Sequence, residues 1–245
     1  MPDQILLIIV ATFLLAGFVK GVIGLGMPTV SLALLTAIVG LPQAMALLLI
    51  PSFVANAWQA FSGGHARAII ARIWPFLTMA TVTIWLGALA LTSLDSAMLL
   101  ALLGAALVAY AILGLGGIRF AVPPHHEVWM GPLLGIANGV LTGMTGAFVV
   151  PGVMFLQALG LSKDMLVQAM GMLFGLSTLG LAVALGGNGL LSRELGAQSM
   201  AALAPALLGM MLGRALRNRL SEPVFKRFFF AGIMVAGLYM GFDAV

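Results

Sequence analysis

The chain has 245 residues, of which 62% are hydrophobic and 7% charged, too few charges to cover a water-soluble domain of this size. It contains no cysteine, which excludes disulfides, thiol catalysis and thiolate metal sites. Its pI near 10.1 would suggest nucleic acid in a soluble protein, but the basic residues fall in short loops between apolar runs, so no nucleic-acid partner is expected.

In chain order, helices are expected over 4–19, 27–40, 42–61, 70–91, 96–116, 127–142, 150–160, 163–186, 195–217 and 223–243. Several reach the roughly 17–25 residues a membrane helix needs. The Leu/Ala/Gly runs show no period-two alternation, which excludes a β-barrel. The start, Met1-Pro2-Asp3-Gln4, lacks the positive region of a signal peptide, so the first segment is read as mature structure. The fold class is an all-α polytopic membrane protein.

The first two helices are separated by Gly17-Phe18-Val19-Lys20-Gly21-Val22-Ile23-Gly24-Leu25-Gly26-Met27-Pro28, where a lysine, four glycines and a proline interrupt an apolar run. A second version, Gly139-Val140-Leu141-Thr142-Gly143-Met144-Thr145-Gly146-Ala147-Phe148-Val149-Val150-Pro151, repeats Gly17, Gly21 and Gly24 at a constant offset of 122. Further matches join Gly40–Met45 to Gly160–Met165 and Gly87–Leu94 to Gly213–Leu220. The most polar connection, 116–127, separates an N-terminal repeat, 1–118, from a C-terminal repeat, 119–245, the two forming one transmembrane domain. Paired broken helices in matching places of two halves point to a transporter binding site.

Lys and Arg counts set the orientation. Loop 62–72 carries Arg67 and Arg72, and loop 214–227 carries Arg214, Arg217, Arg219, Lys226 and Arg227. With both inside, Asp95 lies outside, Arg119 and Lys163 inside, and Arg193 outside. If 127–160 is a hairpin, nine of the eleven cations are cytoplasmic; if it were one kinked crossing, the five-cation loop would be external. The expected fold is therefore two inverted-topology repeats, each a broken-helix hairpin plus three transmembrane helices, with both termini outside. The hairpin arms could be re-entrant half-helices or short crossings.

Gly21, Gly24 and Gly26 let a chain leave a helix and re-enter it. Pro28 suits the first turn of the next helix, whose free N–H groups would face the tip and attract an anion. Gly143, Gly146 and Pro151 allow the same in the second copy. The bland reading is close helix packing, since Gly17/Gly21, Gly139/Gly143, Gly171/Gly175 and Gly209/Gly213 also have GxxxG spacing. Lys20 either faces a cavity or snorkels to the surface. No long helix has a carboxylate at its centre, which favours an anionic or neutral ligand. Polar side chains available to line a path are Asn56, Gln59, Gln168, Ser177 and Thr178, with Asn138, Thr142 and Thr145 flanking the second tip; each could equally make an interhelical hydrogen bond. His65, His125 and His126 read as loop residues without a third metal ligand, and Gly114-Leu115-Gly116-Gly117 lacks the strand and Lys-Ser/Thr of a phosphate loop.

The paired motifs Lys20-Gly21-x-x-Gly24-x-Gly26 and Thr142-Gly143-x-x-Gly146, the two-half plan and the length resemble the sulfite exporter TauE/SafE family of membrane permeases. Phe148 stands where the first motif has Gly26. The resemblance covers almost the whole chain and implies export of sulfite, sulfoacetate, another sulfonate or a related organic anion across a bacterial inner membrane, with no cofactor. The expected partners are the anion and membrane lipid; the oligomeric state, a homodimer included, stays open. Competing readings are a channel or non-transporting assembly subunit, and an intramembrane enzyme. The enzyme reading lacks a membrane-embedded Ser–His pair or paired acids.

Overall fold

The computed structural model describes residues 3–117, 121–219 and 221–243. Arg119 and the 118/119 boundary between the two expected repeats lie outside the described residues. The described helices are α1 (Asp3–Ile23), α2 (Met27–Val39), α3 (Leu41–Phe61), α4 (Ala66–Val82), α5 (Ile84–Ser93), α6 (Ser96–Gly116), α7 (Pro124–Thr145), α8 (Gly152–Ala158), α9 (Lys163–Gly187), α10 (Arg193–Leu216) and α11 (Glu222–Asp243). Among the described residues, seven helical stretches are long and apolar enough to cross a bilayer, with α4 and α5 counted together as Ala66–Ser93. Large apolar side chains such as Phe61 (85% exposed) and Phe228 (76%) face outward, as lipid permits and water does not.

Local chemistry explains several helix boundaries. Ser162 and Ser192 cap α9 and α10 by accepting from the N–H groups of Met165 (3.3 Å) and Leu195 (3.1 Å). Asp164, Glu194 and Glu127 sit in the first turns of α9, α10 and α7, at the positive end of each helix dipole. The stretch expected as one helix, 70–91, is divided at Thr83. There the hydroxyl donates back to Met79 O (2.7 Å) and also reaches Ile136 O of α7 (3.2 Å). Such a back-bond bends a helix.

The helices form two compact units. The first comprises Met1–Pro51, Ser96–Gly116 and Leu190–Val245. Its central seam runs between α1 and α10: Gly17 lies on the Ala206 carbonyl, Gly21 on the backbone of Met210 and Arg214, and Gly209 and Gly213 on the backbone of Leu14 and Phe18. In a second pair, α6 and α11, a Cβ on Gly104 would come within 2.6 Å of the Gly237 carbonyl oxygen. Tyr110 meets Phe230 edge-on there at 5.1 Å. Pro51 cannot donate to Leu47 O. Ser199 of α10 repairs that gap, donating to Leu47 O (2.8 Å) and accepting from the Ile50 N–H (3.1 Å).

The second unit comprises Ser52–Asp95 and Gly117–Gly189. Its seam sets α7 on α4 and α5: Gly135 lies on Phe76, Gly139 on Ala80 and Thr83, and Gly143 on Ile84 and Ala88, while Gly87 of α5 faces Val140. Small residues let these backbones approach, so dispersion contacts replace the hydrophobic drive that lipid removes. Each unit draws helices from both sequence halves, so the compact bodies do not follow the division 1–118 and 119–245.

A side chain on a seam glycine would meet backbone, which cannot swing aside. Gly17→Ala or Gly87→Ala should therefore destabilise the protein by about 1–3 kcal/mol. Gly196→Ala, in α10 with no atom within 4 Å of the new methyl, should be neutral. Thermal unfolding in detergent checks this; equal melting of all three variants contradicts it.

Candidate functional site

Both broken motifs are helical hairpins with a long arm and a short one. In the first unit α1 has 21 residues and α2 has 13. In the second unit α7 has 22 and α8 has 7. At about 1.5 Å per residue, neither short arm spans a hydrocarbon core of about 30 Å. Each hairpin thus combines an arm of crossing length with a half-helix.

The chain turns at Gly24 (φ 89°) and Gly26 (φ 103°) in the first hairpin, and at Gly146 (φ 70°) in the second. These left-handed values suit glycine. Contrary to the sequence reading, Gly21 and Gly143 do not break the helix. Both remain inside α1 and α7, where their bare Cα atoms face the backbones of α10 and α5. The helices leave regular geometry only after those close contacts end.

In the first unit, Lys20 lies in the last turn of α1 and is 3% exposed, so its stem does not spread over the outer surface. Its carbonyl accepts from the Gly24 N–H at 2.7 Å, which fixes the tip directly after it. Pro28 occupies the first turn of α2, whose N-cap, Gly26, offers no side-chain acceptor. Thr29, in the same turn, is 1% exposed, and its hydroxyl has no partner among the described residues. The sequence reading missed Thr29. A threonine next to Pro28 at a helix start was its only local signal.

In the second unit, the tip consumes most of its polar side chains. Thr142 Oγ1 donates to Ala147 O (3.2 Å), Thr145 Oγ1 accepts from the Ala147 N–H (3.2 Å), and the Gly146 N–H bonds Thr142 O (2.7 Å). Asn138 accepts from the Gly152 N–H at 2.9 Å and holds the start of α8. Gln59 and Gln168 bind α3 to α9. Gln59 Nε2 donates to Val167 O (2.7 Å), Gln168 Nε2 donates to Ala60 O (2.7 Å), and Gln168 Oε1 accepts from the His65 N–H (2.8 Å). Asn56 and Ser177 are fully buried on those helices. Of the residues singled out from sequence, Lys20, Gly21, Gly24 and Gly26 therefore belong to the first unit. Asn56, Gln59, Thr142, Gly143, Thr145, Gly146, Gln168 and Ser177 belong to the second.

One ion pair was invisible in the sequence. Arg72 grips Glu127 with two hydrogen bonds, Nε to Oε2 at 2.9 Å and Nη2 to Oε1 at 2.6 Å, and also donates to Leu159 O at 3.0 Å. It ties α4 to the start of α7 and the end of α8. Beside it lies a mostly apolar cavity of about 320 Å³, lined also by Pro75, Phe76, Pro132 and Phe155. The cavity includes none of the tip glycines or hydroxyls. His125 and His126 stand in the first turn of α7 rather than in a loop, 4.0 Å apart between ring centres. Among the described residues, no three His, Asp or Glu side chains gather to hold a metal.

Seven apolar spans together with two glycine-broken hairpins define a polytopic membrane protein of the transporter class. The chain belongs to the sulfite exporter TauE/SafE family, whose model matches residues 9–240. Membership makes it a multi-pass membrane transporter of the kind that exports sulfite or related anions. No curated protein and no solved structure gives a match.

The open surroundings of Gly24 separate strain from crowding: no atom lies within 4 Å of a Cβ built there, yet φ is 89°. Gly24→Val should cost about 1–2 kcal/mol, the price of left-handed backbone for an L-residue. Gly24→Asn should cost less, because Asn tolerates that region better. Chemical or thermal unfolding of the two variants measures the difference; Asn as damaging as Val would mean crowding dominates.

Proposed function

We propose that this protein is a secondary permease that exports a small sulfur-containing or organic anion, such as sulfite, sulfoacetate or another sulfonate, across the bacterial inner membrane by alternating access. The observation that carries the reading is the pair of glycine-broken hairpins, one in each compact unit. In a bilayer, non-helical backbone is tolerated only where protein or a watery cavity surrounds it.

In the first unit, Lys20 and the Gly24–Gly26 turn ahead of α2 attract the anion; in the second unit, the Gly146 tip, Asn56 and Ser177 do so. Gly21 and Gly143 hold each long arm against its neighbour. Thr142, Thr145, Gln59 and Gln168 shape the second tip and its frame. Reciprocal pairing supports inverted repeats: α1 joins α10 in one unit, and their sequence counterparts, α7 and α5, join in the other. An external position for both termini follows from the cation distribution.

An anion leaving a negative-inside cell gains about 2.3 kcal/mol per charge per 100 mV. At roughly 120–180 mV, that sustains an outward ratio of about a hundred- to a thousandfold for a monovalent sulfonate. Export then needs no coupling ion, in keeping with the placement of Asp95, Glu127, Asp164 and Glu194 at helix starts.

The test is anion flux in proteoliposomes under an imposed potential at equal pH. Flux should follow the potential and saturate with substrate. Lys20→Gln should lower the apparent affinity about tenfold or more, with partial recovery in Lys20→Arg. Flux that ignores voltage and follows a proton gradient would show the coupling to be wrong, and non-saturating flux would favour a channel. Reporter fusions after Arg67 and Arg219 should read cytoplasmic and fusions at both termini external; opposite locations for the termini would remove the inverted repeat.

A further inference from the structure

A hydroxyl on a membrane helix ordinarily donates to the carbonyl one turn back. Ser31, Thr81, Thr145 and Thr178 all do so here. Ser177 does not: it is fully buried, and its Oγ has no partner among the described residues. Asn138, equally buried, uses half of its amide. Its Oδ1 accepts from the Gly152 N–H, while its Nδ2 meets no acceptor among the described residues. Dry donors of this kind are costly, so a folded chain keeps few of them without a reason.

The two groups border the same segment of the second unit. A Cβ on Gly152 would touch both Asn138 (2.5 Å to Oδ1) and Leu173 of α9 (2.8 Å to Cδ2). Phe174 meets Phe148 at 6.1 Å between ring centres. Ser177 lies four residues after Leu173 and three after Phe174, so it shares the face of α9 turned toward the hairpin connection 146–151. Asn138 reaches that connection from α7.

We infer that Asn138 Nδ2 and Ser177 Oγ are the donors of an oxyanion subsite against the 146–151 connection. The inference rests on the transporter reading and narrows its ligand to a group bearing one delocalised charge: a sulfonate, a carboxylate or hydrogensulfite. An amide nitrogen only donates, and a serine hydroxyl can donate, so the pair suits acceptor oxygens. The neighbouring hydroxyls of Thr142, Thr145 and Thr178 are spent on backbone carbonyls. The described charged side chains of this unit, Arg67, Arg72, Asp95, Glu127, Lys163 and Asp164, flank or sit near helix ends, and Arg72 is already bound to Glu127. Two neutral donors can solvate one spread charge, but not a doubly charged group stripped of water.

The experiment is saturable flux of methanesulfonate by the full-length protein in proteoliposomes, with sulfate as the doubly charged competitor. Wild type should prefer methanesulfonate at least tenfold. Ser177→Ala should raise KM three- to tenfold with kcat and melting temperature little changed, and Ser177→Thr should restore part of it. Asn138→Asp keeps an acceptor for the Gly152 N–H but replaces the donor with a negative oxygen, and should raise KM more than tenfold. Thr178→Val, whose lost hydroxyl only bonds its own helix, should leave KM within twofold. If wild type transports and Ser177→Ala keeps its KM and its preference over sulfate, the subsite is overturned while the transporter reading stands. Should Asn138→Asp fail to fold, the Ser177 pair decides alone. If wild type moves neither methanesulfonate nor sulfite under any potential, the transporter reading falls and takes the subsite with it.

Discussion

Lipid offers no partner to a bare N–H or C=O, and that constraint governs every irregular point of this chain. Where Pro51 removes a donor from α3, Ser199 arrives from α10 to satisfy Leu47 O and the Ile50 N–H together. Where α7 ends, Thr142 and Thr145 serve Ala147, and Asn138 serves Gly152. At the second broken helix, nearby side chains thus take over the backbone's bonds. Polar residues are scarce here, and several are committed to this work. A buried donor left over, as in Asn138 and Ser177, stands out against that background.

The second organising contact is close approach of backbones. Glycine seams join α1 to α10 and α7 to α4 and α5, each across helices distant in sequence. Without a hydrophobic drive between helices in lipid, such contacts supply much of the association energy. They also fix the tips. Gly24 follows Gly21, and Gly146 follows Gly143, by three residues, so each turn begins just past a close backbone contact. A rigid long arm thus presents a short half-helix and a left-handed turn at a defined place in each unit, which is the pre-organisation a binding tip requires.

Charge is kept to the margins. Asp95, Glu127, Asp164 and Glu194 stand at or beside helix starts, where the dipole favours them, and Arg72 clamps the start of α7 and the end of α8 through Glu127 and Leu159. Lys20 is the exception, a buried cation at the end of α1 one turn from the Gly24 turn. An interior with hydroxyls, amides and a single buried lysine among its described spans is better suited to anions than to metal cations or protons.

What the sequence by itself determined was local. Apolar run lengths gave the spans, and Gly24, Gly26 and Gly146 gave turns, because each depends on backbone preferences within a few residues. The repeat at offset 122 was legible for the same reason: the same local problem is solved twice. Only the tertiary structure decided which function a glycine or polar side chain takes. Gly21 looks like a tip residue beside Gly24, yet its place is set by Met210 and Arg214 nearly two hundred residues away. Gln59, Gln168, Thr142 and Thr145 were open in the sequence to either a ligand or a hydrogen bond, and their carbonyl and amide partners come only from the tertiary structure. Thr83 bends its helix with help from Ile136, and Arg72 meets Glu127 across 55 residues. A hydrogen bond or a backbone contact is a property of two segments brought together, and no pattern within one segment encodes its partner.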